Sequence, residues 1–235
     1  MVVSDSLLVS NRASLSGKSK MDLSEVMRTM SGVRFYLPRD VPDEVIYAAL
    51  DDARFAPSGG NRQPWRVVVV RDLDLRRQVS EISSREWRAY TAKWYPSPEE
   101  ITADQARKLQ EGTDYHANMH QAPVHLFVWA ELGSFALTDR NLDRVSFVGG
   151  GSIYPFVQNL QLALSARGVG SRITALAIPA EAEWADTMSV PHGYGLAAVM
   201  TVGYPEWRAT RLSRNPVESF ARKESFEGEP LTAAP

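Results

Sequence analysis

A chain of 235 residues, 44% hydrophobic and 23% charged, is long enough for one sizeable core, and its formal charge of -2 gives no electrostatic reason to bind nucleic acid or an anionic membrane. The absence of cysteine excludes disulfides, thiolate nucleophiles, cysteine-ligated iron–sulfur clusters and cysteine zinc sites, so redox chemistry would need a bound cofactor. No apolar run approaches the ~20 residues that a membrane-spanning helix requires.

Residues 1–21 carry Asp5 early, lack a cationic start and are rich in serine, which reads as a flexible arm of a cytoplasmic protein rather than a secretory signal. Ordered structure is expected from Asp22, a capping residue with Glu25 three positions on, in a short helix to about Met30 that Gly32 ends. Val33-Arg34-Phe35-Tyr36 then leads outward, with Arg28 and Arg34 on either side of the break. Two arginines at a helix end suit a phosphate, and equally they suit plain solvated surface.

A second helix opens at Val41-Pro42-Asp43-Glu44, buries Val45, Ile46, Ala49, Leu50 and Ala53, and runs to Pro57. The stretch Ala56-Pro57-Ser58-Gly59-Gly60-Asn61-Arg62-Gln63-Pro64-Trp65 follows. Its prolines forbid a continuous helix, its glycines let backbone approach a ligand, and Asn61 and Gln63 offer paired donors and acceptors for a flat polar ring. Arg66 to Val70 reads as a strand buried on both faces.

Asp72 is placed to cap a helix through Val79, Ile82 and Trp87 toward Trp94, and Ser97, Pro98 and Glu100 to restart it. Residues 83–120 thus form a helical excursion whose Trp87, Tyr90, Trp94 and Tyr95 either cover a pocket or pack as core. Val124 to Ala130 is the next strand. A helix from Ser152, with Ile153, Phe156, Val157, Leu160 and Leu164 on its buried stripe, ends at Gly168. Arg172 to Leu176 reads as a short strand, Pro179 to Met188 as a helix and Leu196 to Val202 as the last strand, closed by Gly203-Tyr204-Pro205. The tail beyond carries Arg208, Arg211 and Arg214 and need not pack on its own subunit.

Several chemistries find little support. Tyr154 stands at the third glycine position of a G-x-G-x-x-G pattern begun at Gly149, and there is no Walker lysine. His116 and His120 lie four apart without an H-E-x-x-H, and no G-x-S-x-G elbow is present. What is left is a site of amides, backbone groups and arginines that binds well and needs a cofactor to react; a flavin matches that inventory.

Ala-Pro-Ser-Gly-Gly-Asn-x-Gln-Pro-Trp followed by a valine strand resembles the signature of the nitroreductase family of FMN-dependent oxidoreductases. In order around it stand the arginine-bearing N-terminal helix ending in Val33-Arg34-Phe35, the helix from Ser152 to Arg167, and Val202-Gly203-Tyr204-Pro205 with Arg214 beyond. The resemblance implies an α+β fold with a central, mostly antiparallel sheet flanked by helices. It also implies a homodimer with FMN at its interface, the long central helix at the subunit contact and a C-terminal tail embracing the partner. It divides the chain into a flexible arm (1–21), an FMN-binding domain (22–220, with the 83–120 lid) and a tail (221–235).

By position, the resemblance assigns the phosphate to Arg34 and Arg214 with Arg28 and Ser31, because Met30-Ser31-Gly32 stands where relatives often have Arg-Arg-Ser. Pro57, Ser58, Gly59, Asn61 and Gln63 would meet the ribityl chain and ring. Ile153, Tyr154 and Pro155 would come from the other subunit, and Thr174 and Ala175 would lie near flavin N5, where Thr174 would donate the hydrogen bond that assists hydride transfer. NADH or NADPH would reduce the flavin in a ping-pong cycle with a nitroaromatic or quinone acceptor.

The spacing of Glu86 and Tyr90 also resembles the substrate clamp of the iodotyrosine deiodinase branch, with His116 where that branch has a lysine. That pattern implies a reductive dehalogenase of a halotyrosine-like substrate. A flavin-binding protein without turnover, or one that fragments its flavin, is a further alternative.

Overall fold

The computed structural model describes residues 22–95 and 101–233, so the expected arm over 1–21 and the expected helix start at Ser97, Pro98 and Glu100 lie outside the described residues. In chain order come α1 (Leu23–Thr29), α2 (Asp43–Ala53), β1 (Trp65–Val70), α3 (Leu73–Trp94), α4 (Ala103–Asn118), β2 (Val124–Glu131), α5 (Tyr154–Ala166), β3 (Gly170–Thr174), α6 (Glu181–Thr187) and β4 (Tyr194–Gly203). The strands form one sheet in the order β1-β2-β4-β3 with every neighbouring pair antiparallel, which is the α+β architecture that the sequence implies.

Local chemistry sets the helix starts. The Asp22 carboxylate accepts from the backbone N–H of Ser24 at 2.8 Å, and that of Asp72 from Asp74 and Leu75 at 3.0 and 2.9 Å, satisfying amides that a first turn leaves unpaired. Helix α4 takes a full capping box from Thr102 and Gln105. Its first turn therefore closes on itself.

Strand β2 lies between β1 and β4 and is buried on both faces, with side chains alternating between two cores. Leu126, Val128 and Ala130 join Ala198, Met200 and Val202 of β4 against α2 and α5, where Ile46, Ala49, Phe156 and Leu160 complete the layer. Phe127 and Trp129 join Val199 on the other face, against Val79 and Ile82 of α3, Tyr115 of α4 and Trp184 of α6. Burying side chains of this size contributes roughly 1.5–3 kcal/mol each, so β2 and β4 are the stable centre of the molecule.

Several expectations are corrected. Strand β1 is an edge strand, with Arg66 and Val69 exposed, and the strand buried on both faces is β2. Helix α1 runs to Thr29 with Met30 as its cap, close to the expected end, but Gly32 is not what ends it, since the backbone is already extended at Met30. Gly32 instead bridges Ser171, and the Val33 N–H donates to the Ser171 carbonyl at 3.1 Å, which covers the outer edge of β3. From there 33–37 crosses the end of the sheet rather than leading outward: Tyr36 bridges Pro205 and the Leu37 N–H reaches the Tyr204 carbonyl. Pro42 is the cap of α2 and not its first helical residue, and α2 stops at Ala53, before Pro57. Strand β3 starts two residues earlier than expected, and the helix expected from Pro179 is a 3-10 turn over Ile178–Ala180 running into α6.

Among the described residues no helix is long and apolar enough to cross a membrane, and no group of acidic or histidine side chains could hold a metal ion.

Candidate functional site

The loop between α2 and β1 is held in a shape few sequences tolerate. Gly60, Asn61 and Gln63 all have positive φ, at 61°, 54° and 50°, and the last two pay steric strain that glycine would not. Local bonds hold the turn: the Ser58 hydroxyl accepts from the Gln63 N–H at 3.0 Å, and the Ser58 carbonyl accepts from the Asn61 N–H at 2.9 Å. Buried Pro64 accepts from the Glu131 N–H, and Trp65 stacks on Phe156 of α5 with ring centroids 4.7 Å apart. The amides of Asn61 and Gln63 are left at the surface, 3.3 Å from one another. Strained left-handed residues in an over-determined frame are a recurrent feature of ligand sites.

A second loop closes on this one. Asp139 is buried, and its carboxylate accepts from the Ser146 hydroxyl, the Arg144 guanidinium and the Phe147 N–H. Burial works against its charge, but these donors outweigh it and hold the carboxyl well below the usual carboxylate range. The anchored loop delivers the 3-10 turn Val148–Ser152, where the Ser152 hydroxyl accepts from the Gly59 N–H at 3.0 Å. Ser152 is therefore a loop anchor, and α5 begins at Tyr154. Tyr154 is exposed and its phenol donates to the carbonyl of Ala197, the extra residue of a bulge where β4 slips its register against β2. The Ile153 side chain belongs to its own core at 3% exposure, which leaves only its backbone for a ligand.

Beside the β3 edge lies a corner of positive charge. Arg172 points to the face occupied by α4, with its guanidinium carbon 4.4 Å over the Tyr115 ring. Burial lowers its pKa first, Arg34 lowers it further, and the groups that oppose this are the phenols of Tyr115 and Tyr36 rather than any carboxylate. Tyr36 and Tyr115 both reach the Thr201 hydroxyl, at 2.8 and 3.3 Å. Burial pushes both phenols up, so they stay protonated. His116 sits on the same corner at 4% exposure, pushed down to about 4 first by burial and then by Arg172 and Arg34; its Nδ1 has no hydrogen-bond partner among the described residues. It is neutral at pH 7.

The helical excursion consists of α3 and α4. Its aromatics make a ladder from inside to outside: His116 stacks on Trp87 at 5.1 Å, Trp87 on Tyr90 at 6.1 Å, and Tyr90 meets Trp94 at 6.3 Å. Glu86 and Tyr90 are one turn apart on α3; Glu86 pairs with Arg85 at 3.1 Å and Tyr90 is half exposed. His116 does not join them as a substrate contact, because Trp87 covers it.

The structure thus assembles Ser58, Gly59, Asn61 and Gln63 with Ser152 and Tyr154, and places Arg34 apart from them with Arg172. Exposed Pro57 precedes the loop, and Thr174 and Ala175 end β3, where the Thr174 hydroxyl accepts from the Leu176 N–H and keeps its own proton to donate. Ser31 lines a cavity of about 40 Å³ with Thr29, Ser165 and Arg208. Arg28 donates to Ser24 on its own helix and Arg214 to the Ser213 carbonyl, so no contact among the described residues brings either to Arg34. Arg172, Ser152 and Asp139 are site residues that no sequence motif singled out. For Arg172 a signal existed, a cation in the middle of a short strand; Ser152 and Asp139 carry none, since their partners are remote or set by the loop's fold.

The family model described as the nitroreductase family matches residues 28–204. A protein of Methanothermobacter thermautotrophicus, provisionally named NADH dehydrogenase/NAD(P)H nitroreductase, is 38% identical over 64 residues, which are 27% of this chain and 34% of that protein. In that alignment the chain spans only about a third of the relative. Iodotyrosine deiodinase 1 of Homo sapiens is 23% identical over 210 residues, 86% of this chain and 68% of that protein. A crystal structure of oxidized iodotyrosine deiodinase bound to FMN and 3-iodo-L-tyrosine superposes with a TM-score of 0.66 at 25% identity, covering 87% of this chain and 100% of the other. With the family pattern matched from Arg28 through the end of β4, the chain belongs to the nitroreductase family.

Proposed function

We propose that the protein is an FMN-dependent oxidoreductase that passes hydride from NADH or NADPH to a small organic acceptor, a nitroaromatic or a quinone, in ping-pong order. The observation that carries this is the 57–63 loop: two polar residues accept left-handed backbone so that their amides face outward from a frame fixed at Ser58, Pro64 and Ser152. The residues present fit a flavin mononucleotide. Asn61 and Gln63 supply the donors and acceptors that a pyrimidine edge requires, Thr174 has a proton to donate at the end of β3, and Arg34 and Arg172 offer charge with no carboxylate beside it. When bound, the flavin would supply the reversible two-electron chemistry that a cysteine-free chain lacks. The chain's own part is to orient the ring with the loop amides, to donate a hydrogen bond from Thr174 and to hold positive charge near developing negative charge.

The proposal includes a homodimer, in which residues 22–220 form the binding unit and the tail from 221 covers its partner. Exposed Phe55, Phe147, Tyr154 and Phe226 support this, since such side chains on several segments of one protein usually have a covering surface. Purified protein should be yellow, release FMN on heating, be bleached anaerobically by NADH or NADPH, and turn over with a quinone. A colourless protein that fails to quench added FMN fluorescence would sink the proposal.

A second reading is reductive dehalogenation of a halotyrosine, in which a carbon–halogen bond is replaced by carbon–hydrogen at the cost of two electrons and a proton, with release of halide. Half-exposed Tyr90 one turn after Glu86 favours it, as does the likeness to a deiodinase along most of the chain. Buried, neutral His116 does not contribute to it. Halide release on adding 3-iodotyrosine to the anaerobically reduced protein separates the two, and sustained NAD(P)H oxidation with a quinone would exclude a protein that only stores or fragments its flavin.

A further inference from the structure

Resting on the flavin reading above, we propose that Arg172 of β3, together with Arg34, is the anchor for the cofactor's phosphate monoester, a role that the sequence pattern assigns to the end of the N-terminal helix. Arg172 is half-buried, and no hydrogen bond or ion pair of its guanidinium exists among the described residues. The groups that act on it are Tyr115, Arg34 and Tyr36, two protonated phenols and a second cation, with no carboxylate among them. Three other arginines have acids in reach: Arg71 has Asp40 and Asp43, Arg167 has Asp52, and Arg144 has Asp139. Keeping a half-buried guanidinium beside a second cation is unfavourable unless an anion completes the group.

Geometry brings Arg172 to the end of the N-terminal segment. Gly32 bridges Ser171, which brings the chain after α1 directly alongside the residue before Arg172. A Cβ at position 32 would stand 3.5 Å from Arg172 Cγ and 3.8 Å from its Nη1. The Arg172 side chain therefore lies within van der Waals reach of the chain that follows α1. Neither Met30 nor Ser31 nor Gly32 can carry positive charge there, and Arg28 is turned back to Ser24 on its own helix. A guanidinium fork is the group best shaped to take two oxygens of a phosphate, and resting its flat face on Tyr115 fixes its plane before the anion arrives.

A phosphate monoester could also come from the 2′-phosphate of NADPH, so the test has two arms. The full-length chain, freed of flavin, is titrated with FMN and with riboflavin, and the reconstituted protein with NADPH and with NADH, for the parent protein and for Arg172→Met and Arg34→Met. Arg172→Met keeps an apolar stem over Tyr115 and removes the charge. The expected result is an FMN affinity lowered by about 10- to 100-fold in Arg172→Met, in line with a lost hydrogen bond to a charged group, with riboflavin affinity unchanged. Arg34→Met should act in the same direction, and the double variant should bind the two flavins alike. If Arg172→Met does not fold, Arg172→Lys and Arg172→Gln replace it, and only the lysine variant should retain a preference for FMN.

Equal weakening of FMN and riboflavin would make Arg172 a packing residue and overturn the inference. So would an unchanged FMN preference, or a loss confined to NADPH over NADH. Failure of the parent protein to bind either flavin would overturn the flavin reading itself, and the inference with it.

Discussion

The Gly59 N–H donates to the Ser152 hydroxyl at 3.0 Å, across 93 positions of sequence. This bond joins the strained loop before β1 to the turn before α5, the two segments that frame the candidate flavin site. Ser152→Ala removes the acceptor and strands a backbone donor. The expected loss is about 0.5–1.5 kcal/mol, read as a fall in melting temperature of a few degrees. FMN affinity should fall as well, because the loop loses its far anchor, while Ser152→Thr should keep both near the parent values. A melting temperature lowered equally in both variants would show that the site lacks room for any change and that the hydroxyl itself is unimportant.

Gln63 holds a φ of 50° that glycine would adopt without strain. In Gln63→Gly, relief of the left-handed penalty, roughly 1–2 kcal/mol, equals or exceeds the entropy that glycine loses on folding, roughly 0.5–1 kcal/mol. The melting temperature should therefore hold or rise slightly. Flavin affinity should drop, since an outward amide is gone. A variant that binds FMN as before would show that Gln63 adopts this strain for a reason other than the cofactor.

These two positions also mark the boundary of what the sequence reveals. The caps at Asp22 and Asp72 were legible because each is satisfied within three residues, as were the loop's prolines and glycines and its outward amides. Burial on both faces was assigned to the valine run of β1, the most β-prone stretch in the chain, yet it belongs to β2, whose His125 and Trp129 blur the pattern. Burial on both faces is decided by strand order, and no local window contains strand order. His125 is tolerated in β2 because its Nε2–H reaches the Met119 carbonyl at 2.9 Å and burial keeps the ring neutral, pushed down to about 4. For the same reason the positive corner was only half visible. Arg34 stood in a recognisable block, whereas the pairing of Arg172 with it depends on Gly32 bridging Ser171 across the sheet edge.

His116 makes the stability of this corner depend on pH. Its pKa is lowered from the ordinary 6.5 to about 4, chiefly by burial, and then by Arg172 and Arg34. Above pH 6.5 the ring is neutral in the folded and unfolded chains alike and costs nothing. As pH falls below 6.5 the unfolded chain takes up the proton first, so stability declines until about pH 4, where the folded form also protonates. His125 is displaced in the same direction and contributes to the same window. Melting temperatures between pH 4 and pH 7 should therefore rise with pH and flatten above about 6.5, and His116→Phe, which keeps a ring under Trp87, should remove part of the slope. A slope untouched by His116→Phe would assign the whole effect to other groups.

The excursion and the sheet should come apart under a single methyl group. Gly112 of α4 lies beneath the Trp87 ring of α3, and a Cβ at that position would overlap the ring. Trp87 has little freedom to retreat, because its indole N–H donates to the Thr113 hydroxyl at 3.1 Å and its face carries His116. Gly112→Ala gains about 1 kcal/mol of helix propensity but forces overpacking, which typically costs roughly 1–3 kcal/mol, so a net loss of up to about 2 kcal/mol is expected. That loss should be local: hydrogen exchange should accelerate through α3 and α4 while the amides of β2 and β4, buried in both cores, keep their protection. KM for the acceptor should shift, because Tyr90 and Trp94 ride on the displaced Trp87, and FMN affinity should change less, because the cofactor loop lies on neither helix and α4 reaches the positive corner through Tyr115. Loss of FMN together with acceptor affinity would mean that the aromatic ladder belongs to the flavin site and not to the choice of substrate.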